Sequence, residues 1–130
     1  MATYEYSLTQ PPEEPREREL WLQHAAGFII FEDVRAHARR QVNSELNGSA
    51  REAAFQAIDD AVGGLMQILD GVSGTLSNDT HSVGLRVTVE LEDVATGKSV
   101  STVDLAEGDG MCMGYHGWLE GDYGAERPFE

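Results

Sequence analysis

Basic side chains are scarce in this chain of 130 residues: 9 Lys and Arg stand against 23 Asp and Glu, which gives a net charge of −14. A nucleic-acid-binding protein needs clustered Lys and Arg to neutralise phosphates, and an anionic membrane surface attracts the same residues. We therefore expect neither a nucleic acid nor a membrane as a partner. The only basic residues after position 65 are Arg86, Lys98 and Arg127, so the acidic surplus lies mainly in the second half of the chain.

Cysteine is almost absent as well. Cys112 is the single cysteine, so no disulfide can form within the chain and nothing suggests a cross-linked secreted scaffold. The first 15 residues contain neither the basic nor the apolar run of a secretory signal peptide. The most apolar stretch, residues 25–31, is far shorter than the ~20 residues that span a bilayer. From these absences we expect a cytoplasmic protein.

Residues 13–46 carry the periodicity of a helix. Apolar residues recur at three- and four-residue steps from Leu20 to Leu46, which predicts one long helix or two helices in line. The step lengthens around Phe31. The apolar run that ends there predicts a point where the helix is bent or most deeply buried.

A second helix is predicted to begin at Ser49, because Glu52 follows three residues later in the pattern of a capping box. The pair Gly63-Gly64 predicts close packing against a neighbouring element, since each glycine costs ~1 kcal/mol in a helix relative to alanine. The connection between the two helices is very short. Residues 13–74 are therefore expected to form an antiparallel αα-hairpin.

Residues 83–92 alternate without a break between apolar and polar side chains, which predicts a strand with one buried face. A short loop and a second alternating segment, residues 99–105, complete a hairpin. Residues 3–9 also alternate and form either an edge strand or a loose tail. We expect one α+β domain over residues 1–130, in two layers, with the αα-hairpin packed on a three- or four-stranded, mostly antiparallel sheet.

The segment 108–124 contains 6 of the 14 glycines and is the densest group of chemically versatile side chains in the chain. If residues 111–120 are extended, Cys112, His116 and Trp118 share one face. Cys112 and His116 are then roughly 13 Å apart, too far for a catalytic dyad unless the chain turns at Gly114. A third strand whose glycines serve packing and a ligand or partner surface are the other interpretations.

No spacing in the sequence has the pattern of a metal or cofactor site. Asp33 and His37 share a helix face, yet a zinc site requires three or four ligands. Gly108-Asp109-Gly110 lacks the Lys and the Ser or Thr of a phosphate-binding loop. We therefore expect no metal and no cofactor.

Two classes of function are compatible with these observations. The first is an acidic interaction or inhibitor module that recognises a basic protein through its acidic C-terminal half, with aromatic anchors inside a negative rim. The alternative is a small-molecule-binding protein or enzyme with a pocket between helices and sheet near Cys112, His116 and Asp122. A homo-oligomer is a third possibility. The residues expected at the binding surface are Cys112, Tyr115, His116, Trp118, Glu120, Asp122 and Tyr123.

Overall fold

The computed structural model describes residues 2–130 and shows an α+β fold. The helices are α1 (Pro15–Ile30), α2 (His37–Gln41), α3 (Gly48–Leu69) and α4 (Met111–Leu119). The strands are β1 (Thr75–Ser77), β2 (Ser82–Gly84), β3 (Thr88–Glu92) and β4 (Ser99–Asp104). Short 3-10 helices occupy Ala2–Glu5 and Leu105–Glu107. Among the residues described, no helix is both long enough and apolar enough to cross a bilayer.

The first helical region confirms the prediction of one long helix or two helices in line, although it ends at Gln41 and not at Leu46. Glu14 caps α1, because its carboxylate accepts the backbone N–H groups of Arg16 and Glu17 at 3.1 and 2.7 Å. A π-helical turn over Phe31–Ala36 separates α1 from α2. Such a turn is the local irregularity that the apolar run ending at Phe31 predicts.

Helix α3 confirms the second predicted helix but not its details. It begins at Gly48, and Ser49 is not its N-cap, so the capping-box prediction is wrong. A Cβ atom built on Gly63 or Gly64 meets nothing within 4 Å. Close packing against a neighbour therefore does not explain this glycine pair.

The predicted strand over residues 83–92 is divided between two separate two-stranded antiparallel sheets. Strand β2 pairs with β1, and β3 pairs with β4. Between them, the N–H of Leu85 donates to the carbonyl of Gly74, and the carbonyl of Val87 accepts from Leu105. No three- or four-stranded sheet forms in the described chain, so a helical hairpin packed on one such sheet is not confirmed.

Both chain ends also differ from the predictions. A 3-10 helix and one antiparallel bridge, between Leu8 and Phe129, replace an edge strand over residues 3–9. Residues 111–119 form helix α4, so the extended interpretation of this segment is wrong.

The core lies where α1, α3 and α4 meet. The C-terminal segment adds to it, because Phe129 stacks on Phe28 with ring centroids 3.7 Å apart. The buried apolar side chains are Trp21, Leu22, Ala26, Phe28, Val62, Met66, Leu69, Leu105, Met111, Tyr115, Trp118 and Tyr123.

Candidate functional site

Helix α4 carries most of the predicted site residues, and a side chain at the end of α3 holds its N terminus. The carboxylate of Asp70 accepts the backbone N–H groups of Met111 and, at 2.9 Å, of Cys112. Gly110 precedes the helix with φ +111°, a conformation that glycine adopts without strain. A carboxylate at this place also complements the positive end of the helix dipole.

One face of α4 is buried in the core. Met111, Tyr115 and Trp118 are spaced as i, i+4 and i+7, which places them on the same side of a helix, and all three are buried. Tyr123, beyond the helix, is buried as well. Side chains that are already buried within the fold have little area left for a partner, so Tyr115, Trp118 and Tyr123 offer no free aromatic surface in this structure.

The indole of Trp118 occupies a space that two glycines leave open. A Cβ atom built on Gly27 would lie 2.2 Å from the ring, and one built on Gly114 would lie 2.5 Å from it. The indole N–H of Trp118 donates to Nδ1 of His24 at 2.9 Å. Neutral His24 therefore carries its proton on Nε2.

The remaining site residues are divided between two sides of α4. Cys112 and His116 line an open cleft of about 440 Å³ between α4 and α3, which also borders Tyr115. Asp122 and Trp118 line a different cavity, of about 190 Å³, together with His24 on α1. Glu120 is exposed at the C-terminal end of α4. The structure thus does not bring Cys112, His116 and Asp122 into one pocket.

The chemistry of the cleft between α3 and α4 argues against nucleophilic catalysis by Cys112. Burial raises the pKa of the Cys112 thiol, and the neighbouring carboxylate of Asp70 raises it further. A catalytic cysteine needs the opposite shift, since the thiolate is the nucleophile.

An ion pair joins the first helical region to α3 near this cleft. Nε of Arg35 lies 2.6 Å from Oδ1 of Asp59, and both side chains are largely buried. Arg35 and Asp59 also act on the hydroxyl of Tyr115, whose pKa is raised mainly by burial. The pair therefore fixes the position of α3 beside the π-helical turn.

Residues 71–88, here named the hairpin arm, form an exposed surface that is absent from the predictions made from the sequence. Every residue of the arm is exposed. Leu76 on β1 is opposite Val83 on β2. Leu85 directly follows β2, and its N–H donates to the carbonyl of Gly74. The exposed fractions of Leu76, Val83 and Leu85 are 78%, 66% and 64%.

The sequence does contain a signal for this exposure. Residues 71–82 are mostly glycine, serine, threonine and other small or polar residues, with Val72 and Leu76 as the only large apolar ones. Such a segment has too little apolar area to join the core, even though the strand that follows alternates regularly.

No protein-family model matches this chain, and no curated protein and no solved structure matches it at a significant level. Within residues 2–130, no group of three His, Cys, Asp or Glu side chains converges as a metal site requires. Function is therefore inferred from the surfaces and charges of the chain itself.

Proposed function

We propose that this protein is an interaction module that binds a basic protein partner through the apolar face of the hairpin arm. The exposure of Leu76 and Val83, which are opposite each other in the hairpin, and of the nearby Leu85 carries the proposal. A two-stranded hairpin with no packed face is at best marginally stable in water. Soluble monomers rarely expose contiguous large apolar patches that have no role. A partner that covers this face would stabilise the hairpin by burying it.

Burial of this face provides a binding energy of useful size. Complete burial of a Val or Leu side chain stabilises a complex by about 1.5–3 kcal/mol. Leu76 and Val83 are paired across the hairpin, and Leu85 is two residues beyond Val83, so one apolar surface on a partner can contact all three. They provide an exposed apolar surface that the buried Tyr115, Trp118 and Tyr123 do not provide.

The charge of the chain defines the chemistry of the partner. At a net charge of −14, two copies of the chain repel each other, which disfavours a second copy on the arm. The arm itself contains one acidic residue, Asp79, and one basic residue, Arg86, and the segment that follows it, residues 89–104, adds four Asp and Glu and one Lys. One of those bases, Arg86, is paired with Asp104 at 3.2 Å. A partner with Lys and Arg around an apolar centre is complementary to this surface.

An enzyme or small-molecule-binding function near Cys112, His116 and Asp122 has weaker support. Asp122 lies in a different cavity from Cys112 and His116. The raised pKa of Cys112 also keeps the thiol protonated at neutral pH.

Photo-crosslinking tests the proposal. A photoreactive amino acid replaces Leu76 on the arm, and the matched control replaces Val94, which is fully exposed in the loop between β3 and β4. In the native host, we expect position 76 to capture a protein through a peptide rich in Lys and Arg. The yield should fall steeply as salt is raised, because long-range attraction between charges is screened.

Serine variants identify the surface that binds. With the photoreactive residue at position 76, Val83→Ser and Leu85→Ser should abolish capture, whereas Val94→Ser should leave it unchanged. All three positions are exposed in the free protein, so we expect changes of no more than about 0.5 kcal/mol in the free energy of unfolding. Equal capture from positions 76 and 94, or capture that is insensitive to salt, would contradict the proposal. A crosslink to a second copy, with a dimer on size-exclusion chromatography, would replace it with self-association.

A further inference from the structure

Three of the nine basic side chains of this acidic protein line a single cleft at the junction of α2 and α3. The cleft is open and has a volume of about 470 Å³. We name it the arginine cleft. Its lining residues are Ala36, Arg39, Arg40, Val42, Ser44, Arg51 and Phe55.

An aromatic ring positions two of the arginines. The guanidinium carbon of Arg39 lies 3.9 Å from the ring centroid of Phe55, and that of Arg51 lies 4.6 Å from the same centroid. These are cation–π distances. Two like charges are thereby held close to one ring. Such an arrangement carries a repulsive energy that an anion between the two would relieve.

Two of the three arginines of the cleft form no salt bridge with the residues that the structure describes. In the described part of the chain, the salt bridges of Arg and Lys involve Arg16, Arg35 and Arg86, and neither Arg39 nor Arg51. The hydrogen bond from the Thr3 hydroxyl is the main cause of the lowered pKa of Asp33, and Arg40 contributes to the same shift.

The backbone adds to the positive potential. Arg51 lies in the first turn of α3, where the helix dipole disfavours a cation. No side chain caps the N terminus of α3. The position of Arg51 therefore destabilises α3. An anion bound beside Arg51 would remove this unfavourable interaction and so would bind more tightly.

We propose that the arginine cleft binds the phosphate group of a small phosphorylated molecule. Guanidinium groups match phosphate through paired N–H···O hydrogen bonds, and the hydroxyl of Ser44 adds another donor at the cleft. A phosphate monoester presents three terminal oxygens, enough for paired contacts with both Arg39 and Arg51, whereas a carboxylate presents two.

The size and surroundings of the cleft define the ligand further. Its volume lies in the range of about 300–1,000 Å³ that is typical of small-molecule sites, and it exceeds what a single phosphate ion fills. A long polyanion such as a nucleic acid would extend beyond the cleft onto a chain whose net charge is −14, and would be repelled. The proposal concerns a different surface from the hairpin arm and does not depend on the proposed function.

Calorimetric titration of the full chain at low salt tests the site, with inorganic pyrophosphate as the probe and citrate as the carboxylate comparison. Arg39→Gln and Arg51→Gln should each weaken pyrophosphate binding roughly ten- to hundredfold, the usual effect of losing a hydrogen bond to a charged group. The matched control is Arg127→Gln, which removes the same charge from a guanidinium that lies 5.0 Å from the ring of Phe129. This control should leave the affinity within about twofold, a change of less than 0.5 kcal/mol.

Amide chemical shifts of the unmodified protein locate the site even if a variant fails to fold. Addition of pyrophosphate should shift resonances of residues 39–55 and leave those around Arg127 in place. The proposal is overturned by any of three results: no binding up to about 10 mM probe, equal weakening by Arg127→Gln, or citrate binding as tight as pyrophosphate binding. Shift changes centred elsewhere on the chain would overturn it as well.

Discussion

The indole N–H of Trp118 donates a hydrogen bond to Nδ1 of His24 at 2.9 Å, and so joins α4 to α1 in the core. The two residues are 94 positions apart in the chain. This bond requires His24 to be unprotonated at Nδ1, because a protonated ring would present a second donor to the indole. The position of α4 is therefore coupled to the protonation state of one histidine.

The first prediction follows from this coupling. Burial lowers the pKa of His24 below its ordinary value of 6.5, although Asp122 and Asp109 oppose the shift. The unfolded chain therefore binds more protons than the folded protein as pH falls below about 6.5, and the free energy of unfolding should decrease in that direction. Urea denaturation at pH 7.5 and 5.5 measures the effect.

Substitution of the histidine isolates its contribution. In His24→Asn, the amide oxygen of Asn offers an acceptor near the position of Nδ1, but the side chain does not titrate. The decrease in the free energy of unfolding from pH 7.5 to pH 5.5 should therefore be smaller than in the unmodified protein. His81→Asn, at an exposed position, should retain the full loss. Glu14 and Asp33 have lowered pKa values, so their stabilisation is lost only below about pH 4.5, outside this window. An unchanged pH dependence in His24→Asn would refute the coupling.

The second prediction concerns the glycine against which Trp118 packs. In Gly27→Ala the new methyl group would lie 2.2 Å from the indole, so backbone or ring must move. We expect a loss of about 1–3 kcal/mol in the free energy of unfolding. The control, Gly64→Ala, places a methyl group in open space on α3 and should stabilise the protein by about 0.5–1 kcal/mol. A shift of the urea midpoint in the same direction for both variants would contradict the prediction that Trp118 packs tightly against Gly27.

The third prediction concerns the carboxylate that caps α4. Asp70→Ala leaves the N–H groups of Met111 and Cys112 without their acceptor and should cost about 0.5–2 kcal/mol. It also removes a negative charge that raises the pKa of the Cys112 thiol, so that pKa should fall. The rate of reaction with a thiol reagent at pH 8 should increase. The control Asp79→Ala, in the hairpin arm, should change neither the free energy of unfolding nor the reaction rate of Cys112. If Asp79→Ala increases that rate as much as Asp70→Ala does, the effect is not specific to Asp70.

The fourth prediction compares two ion pairs that differ in burial. Arg35 and Asp59 form two N···O contacts, of 2.6 and 3.3 Å, with side chains 14% and 28% exposed. Asp59→Asn should lower the free energy of unfolding by about 1–3 kcal/mol, because it leaves a largely buried guanidinium without its charge partner. Arg86→Gln breaks the more exposed pair with Asp104 and should cost less than about 1 kcal/mol. If thermal or urea denaturation shows equal losses in the free energy of unfolding for the two variants, burial does not determine how much each ion pair stabilises the fold.

Residues 111–120 show the limit of predicting secondary structure from the periodicity of side chains. If residues 111–120 were a strand, Cys112, His116 and Trp118 would share one face. The spacing of Met111, Tyr115 and Trp118 fits a helix equally well, and a helix is what forms. Two contacts favour the helix: the carboxylate of Asp70 caps its N terminus, and Gly27 leaves room for the indole of Trp118. Neither contact can be predicted from residues 111–120 alone.

By itself the sequence determined the α+β class, the two predicted helices before position 70, the interruption near Phe31 and the acidic surplus of the second half. These follow from short-range periodicity and from composition. Only the tertiary structure decided that α4 is a helix, that Trp118 is buried beside His24, and that the hairpin arm leaves its apolar face exposed. Periodicity shows which face of an element is apolar, but what covers that face depends on contacts between residues far apart in the chain.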